Sequence, residues 1–267
     1  MNATVLLDNR QTAQESVPAL ARQCLYRFTA LALLDPRRGA WEQLNSLRRS
    51  RVLYHAAELM RDQAGAPPGG LARGERPIVD LDPEKVLARL PATSAELNHE
   101  YEAVFGLLVS SDCPPYGTEY INSKFTFQRS NGLADVAGFY RAFGLDPSEK
   151  FPERHDHIVL ELEFMAHLSA LLHGAEGSHD ATRGEQIEVC RAAQKRFLAE
   201  HLAWWSPAFA TLLARRAKGG FYQGAACFLS ALIPAERGYL DVTVPSPSAS
   251  PSRIERPEEC DGCALGN

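Results

Sequence analysis

Residues 152–172 read PERHDHIVLELEFMAHLSALL. At about 100° per residue, Ile158, Leu162, Met165, Leu168 and Leu172 fall on one face, which is the pattern of a core-facing helix. Glu153 and Asp156 at its start complement the helix dipole. Glu161 falls inside the apolar stripe, one turn after His157. A carboxylate there is costly unless it is paired or hydrogen-bonded. His157, four residues earlier, is the natural partner. The pair either ties two helices together or waits at a groove floor for a cationic ligand.

The same periodicity runs outward in both directions. Leu20, Leu25, Phe28, Leu31 and Leu34 mark a first helix that Pro36 stops. A second is predicted over 40–63, shorter ones over 83–89 and 93–105, and another from Ser130, as N-cap, to Gly144. Beyond the 152–172 helix, further helices fit 183–204, 207–217 and 220–232, with Ser206 as N-cap and Pro207 at the first helical position. No alternating strand pattern and no fixed-period repeat interrupts them. The fold class is therefore all-α, one compact domain of about nine to eleven helices over residues 1–241. From 242 the chain turns Ser/Pro-rich and has almost nothing to bury, so 242–267 is predicted to be a disordered tail.

One loop breaks the helical array. Cys113-Pro114-Pro115-Tyr116-Gly117-Thr118-Glu119-Tyr120 cannot begin as a helix, because two prolines remove donors and restrict the residue before them. It offers two tyrosines, which give contact area at low entropy cost, and Glu119, which suits an arginine fork. His201, Trp204 and Trp205 read instead as aromatic core between helices.

Composition narrows the function. With 28 basic and 33 acidic residues the net charge is −5, which argues against nucleic acid and suits a basic peptide. Cys24, Cys190 and Cys227 sit singly in apolar patterns, and Cys260 and Cys263 form a terminal CxxC; this usage points to a reducing compartment. Residues 1–10 lack a charged start and apolar run, and no stretch approaches the ~18 apolar residues that span a bilayer. The expected location is cytoplasmic, without stable membrane insertion. Enzyme signatures are weak. Glu96-x-x-His99 and Glu176-x-x-His179 resemble half of a di-iron motif, and His155-x-His157 lacks further zinc ligands. The CxxC supplies two of the four thiolates of a structural zinc site. No phosphate-binding glycine loop is present.

Three segments together resemble the TorD/DmsD family of molybdoenzyme maturation chaperones, related to NarJ. They are Glu153-Arg154-His155-Asp156-His157-Ile158 with Glu161-Leu162-Glu163-Phe164-Met165; Phe197-Leu198-x-Glu200-His201-Leu202 with Trp205 and Pro207-x-Phe209; and the Pro-Pro-Tyr-Gly-Thr-Glu-Tyr loop. The likeness covers about residues 20–232. His155 stands where many members carry proline. The resemblance implies a non-enzymatic, all-helical protein without a cofactor of its own. It would bind the twin-arginine leader and apo catalytic subunit of an exported molybdenum enzyme. The candidate contacts are Tyr116, Glu119, Tyr120, Glu153, His155, Asp156, His157 and Glu161. On this view Asp156→Asn weakens leader binding and leaves the melting temperature nearly unchanged. The alternatives are a NarJ-type chaperone for an enzyme that is not exported and a helical metal-dependent enzyme.

Overall fold

A computed structural model describes residues 3–106, 112–121, 126–146, 148–178 and 180–243, with side chains from residue 17 onward and, in the sixth helix, from residue 129. The described residues form ten α-helices and no β-strand: α1 (Ala3–Leu33), α2 (Ala40–Leu47), α3 (Val52–Gln63), α4 (Pro83–Leu87), α5 (Ser94–Phe105), α6 (Thr126–Ala142), α7 (Ile158–Glu176), α8 (Arg183–Phe197), α9 (Ser206–Ala217) and α10 (Phe221–Leu240). Cys260, Cys263 and nearly all of the Ser/Pro tail lie outside the described residues.

The apolar stripes meet where the periodicity placed them. α7 packs along α1 and α8, and α10 along α9 and α1. Leu25, Tyr26 and Phe28 of α1, Leu162, Met165 and Leu168 of α7, and Phe228, Leu229 and Leu232 of α10 share one buried core. Phe28 and Phe228 meet edge to face, centroids 5.2 Å apart. α7 is long and apolar enough to cross a membrane, contrary to the sequence expectation, but most of it is buried inside the protein. The four described cysteines, Cys24, Cys113, Cys190 and Cys227, are free thiols.

Several boundaries differ from the expected ones, each for a local reason. The 40–63 segment is two helices. The run Arg48-Arg49-Ser50-Arg51 carries no apolar side chain, and Ser50 Oγ accepts from the Val52 N–H to restart the chain. α6 begins at Thr126, four residues before Ser130, while Gly144 closes its end at φ 70° as expected. α8 ends at Phe197, and a π turn, Leu198–Leu202, follows, with the Ala203 N–H donating to Leu198 O at 2.8 Å. Ser206 makes no side-chain cap, and its hydroxyl is buried without a partner. α10 runs eight residues past the expected Leu232, straight through Pro234. Proline there forfeits one backbone bond, that to Ser230 O. The Arg76 N–H fills the gap at 2.8 Å.

Two buried arginines tie the last helix to the rest. Arg22 donates to Glu236 at 2.6–3.1 Å and to Gln194 Oε1 at 2.8 Å, and Tyr26 OH donates to the same glutamate at 2.9 Å. Arg237 pairs with Glu75 and donates to Pro68 O and Val242 O. Val242, one residue past the expected boundary at 241, is buried.

Candidate functional site

The Pro-Pro loop and the segment before α7 are joined as a short antiparallel bridge, Tyr116 to His157. The Gly117 N–H donates to Asp156 O, and the Ile158 N–H to Pro115 O, both at 2.9 Å. This pairing holds His157 extended. The helix therefore starts at Ile158 rather than at 152, with His157 as its N-cap. His157 Nδ1 accepts from the Val159 N–H at 3.2 Å, which requires the neutral ring. Withdrawal from water holds its pKa down at about 4, against the pull of Glu153 and Asp156.

Asp156 is 1% exposed and saturated with donors. Its Oδ2 accepts from the Thr118 N–H (2.9 Å), Thr118 Oγ1 (2.7 Å) and Arg154 Nη2 (2.9 Å), and Oδ1 accepts from Arg154 Nε (3.1 Å). Arg154 continues to Glu119 Oε1 at 3.1 Å and lies over the Tyr116 ring, 4.3 Å from its centroid. Arg129 takes the other oxygen of Glu119 at 3.1 Å. Two of the candidate carboxylates, Asp156 and Glu119, thus already hold arginines of this chain. Tyr116 OH donates to Glu153 Oε1 at 3.1 Å, and Tyr120 OH to Pro114 O at 3.0 Å. The backbone oxygen of His155 accepts from Tyr140 OH at 2.8 Å.

Glu161 does not pair with His157. Its Oε2 accepts from Trp205 Nε1 at 3.1 Å, because the two helix-start residues face apart: the imidazole packs on Tyr116, ring centroids 5.2 Å apart. Burial pushes the Glu161 carboxyl well above the usual range. Gly117 sits against this pair; a Cβ there would come within 3.0 Å of Trp205 Nε1 and 3.4 Å of Glu161 Oε1. The close approach accounts for glycine at that position.

A cleft of about 790 Å³ opens beside these residues, between the Gly117 loop, α6 and the π turn. Of the sequence candidates, only Asp156 and Glu161 line it. Glu153 and His157 face a separate cavity of about 60 Å³ with Arg38 and Tyr101, and Tyr116, Glu119, Tyr120 and His155 line neither of the two. The cleft's aromatic wall is Trp204 and Trp205, with His201, Asp135 and Glu200 beside them. His201 and Trp205 are buried as expected and Trp204 is partly buried, and all three also line the cleft. Asp135 and Glu200 were missed. Glu200-His201 stands in a quoted segment, but the π turn that aims both at the cleft leaves no periodic trace, and Asp135 is remote in sequence.

Of the metal-motif residues, Glu96 is consumed in a capping box with Thr93, and Glu176 pairs with Arg191 at 2.9 Å. His179 is outside the described residues.

Known proteins give a consistent assignment. The family described as nitrate reductase delta subunit matches residues 82–211. The chain is 26% identical over 126 residues to the chaperone protein TorD of Aliivibrio salmonicida, covering 47% of this chain and 55% of that one. It is 32% identical over 100 residues to TorD of Vibrio cholerae serotype O1, 38% and 43% of the two chains. To the selenate reductase assembly chaperone protein of Thauera selenatis it is 34% identical over 117 residues, 44% and 57%. The chain thus spans about half the length of the curated relatives it matches. No solved structure matches it. The likeness is thus to chaperone proteins of the TorD type and to the nitrate reductase delta subunit family, in keeping with the resemblance to the TorD/DmsD family of molybdoenzyme maturation chaperones seen in the sequence.

Proposed function

We propose that this protein is a cytoplasmic chaperone that binds the twin-arginine leader and apo catalytic subunit of an exported molybdenum enzyme until its cofactor is inserted. The observation that carries the reading is the cleft itself: Ile121, Val136 and Trp204 give it apolar surface, and Asp135 and Glu200 stand half-exposed at its edge. A leader has a cationic start and an apolar middle, and a groove with carboxylates at one end is its complement. Arg154 keeps Asp156 and Glu119 occupied, so these two shape the loop wall, and a leader arginine reaches Glu119 only by displacing Arg129 or Arg154. Arginine's fork makes bidentate contacts that lysine cannot.

Calorimetry with the client leader tests this. Binding is expected at micromolar affinity or tighter, about −8 kcal/mol or more favourable, and weaker for a Lys-Lys leader. Equal affinities sink the arginine-reading model. A match to the nitrate reductase delta subunit family favours one second reading, a chaperone for an enzyme that is not exported. In that case the subunit binds and its leader contributes nothing.

A further inference from the structure

Three side chains at the cleft edge are gathered more closely than contacts of Asp135 and Glu200 with a leader would need. Asp135 comes from α6, and Glu200 and His201 from the π turn after α8. One potential ligand atom of each lies within 4.8 Å of the others. We infer that Asp135, Glu200 and His201 bind a divalent transition-metal ion of the zinc class.

His201 carries the argument. It is 7% exposed, and its ring is held between Phe139 and Phe197, with centroids 5.2 and 5.1 Å away. Its Nε2 lies 3.1 Å from Asp135 Oδ2, yet the atom is buried with no hydrogen bond in line. Buried polar atoms are almost always satisfied. A cation held jointly by the imidazole and the carboxylate satisfies this one. One imidazole and two carboxylates suit Zn²⁺, Fe²⁺, Co²⁺ or Ni²⁺, whereas Mg²⁺ and Ca²⁺ favour all-oxygen sites. Three protein ligands leave a position open to water or to a group entering the cleft.

The rest of the geometry is compatible. Bonds of roughly 2.0–2.2 Å require the ligand atoms to close somewhat. Asp135 and Glu200 are about half-exposed and free to do so, while the clamped His201 ring stays fixed. The competing cation is Arg196, whose Nε donates to Glu200 Oε2 at 2.9 Å and leaves Oε1 available. π turns inside helices recur at functional sites, and this one sets two consecutive ligands on the cleft.

The test is a titration of full-length protein with Co²⁺ and then Zn²⁺. Cys260→Ser and Cys263→Ser are included to remove the thiol pair. One equivalent is expected to bind at micromolar affinity or tighter, with visible d–d absorption and no thiolate charge-transfer band. Asp135→Asn and Glu200→Gln, both on exposed side chains, should each weaken binding by about tenfold or more, as should His201→Ala if it folds. Arg196→Gln should tighten it. Absence of binding, a thiolate band, or affinity indifferent to Asp135→Asn and Glu200→Gln overturns the site. None of these readouts involves a leader, so the outcome is separate from the proposed function.

Discussion

Replacing Asp156 by alanine should melt the loop clasp rather than merely remove a ligand contact. The carboxylate is 1% exposed and accepts from four donors. Arg154 is 38% exposed and can turn to water, so its share is discounted. The Thr118 N–H cannot; left unpaired in a buried position it costs about 1–3 kcal/mol. With the weakened arginine pair, the total comes to about 2–4 kcal/mol. For a chain of this size that lowers the melting temperature by roughly 4–16 °C. Asp156→Asn keeps an acceptor for Thr118 but turns an amide N–H₂ toward Arg154 Nε, and should fall between wild type and alanine. Thermal melts followed by circular dichroism, with leader calorimetry well below the transition, separate fold from binding. If Asp156→Ala melts within about 2 °C of wild type, the carboxylate is not a clasp, and the sequence-based assignment to ligand binding stands instead.

Trp205→Ala should cost about 3–5 kcal/mol, read by urea unfolding, because the ring is buried and its Nε1 is a donor to Glu161; a change below about 1 kcal/mol would contradict its core position. Glu161, raised above its ordinary 4.5 by burial, holds more protons folded than unfolded above that pH. Stability should therefore fall as pH rises from 4.5, by up to about 1.4 kcal/mol per unit until the carboxyl ionises. Glu161→Gln should flatten that slope and gain most over wild type at alkaline pH; parallel stability profiles would refute it. Truncation after Thr243 should leave melting unchanged. Truncation after Asp241 removes the Val242 oxygen that accepts from Arg237 at 3.2 Å and should lose about 1–2 kcal/mol; identical melts for the two would return the boundary to 241.

Helical periodicity made most of the fold legible. The stripe from Ile158 to Leu172 is the buried face of α7, and the Pro-Pro break located the loop beside the cleft. What stayed hidden depends on contacts distant in sequence. Nothing local reveals that Arg76 compensates Pro234, or that a bridge to Tyr116 delays the start of α7. Glu161 was correctly singled out as an anomalous buried carboxylate, but its partner proved to be an indole from another helix rather than the imidazole one turn away. In the same way, nothing in the sequence places Asp135 beside His201.

The pairing of Arg22 with Glu236 spans 214 positions of chain. A ribosome adding about 5–20 residues per second takes roughly 10–40 s between the two. For the first two thirds of that interval α1 lacks α7, and until its end it lacks the complete α10, since both are made later. α1 is thus made before every element it packs against and is among the last to be seated. Until α7 emerges, the nascent chain must carry α1 with only the early helices to cover it.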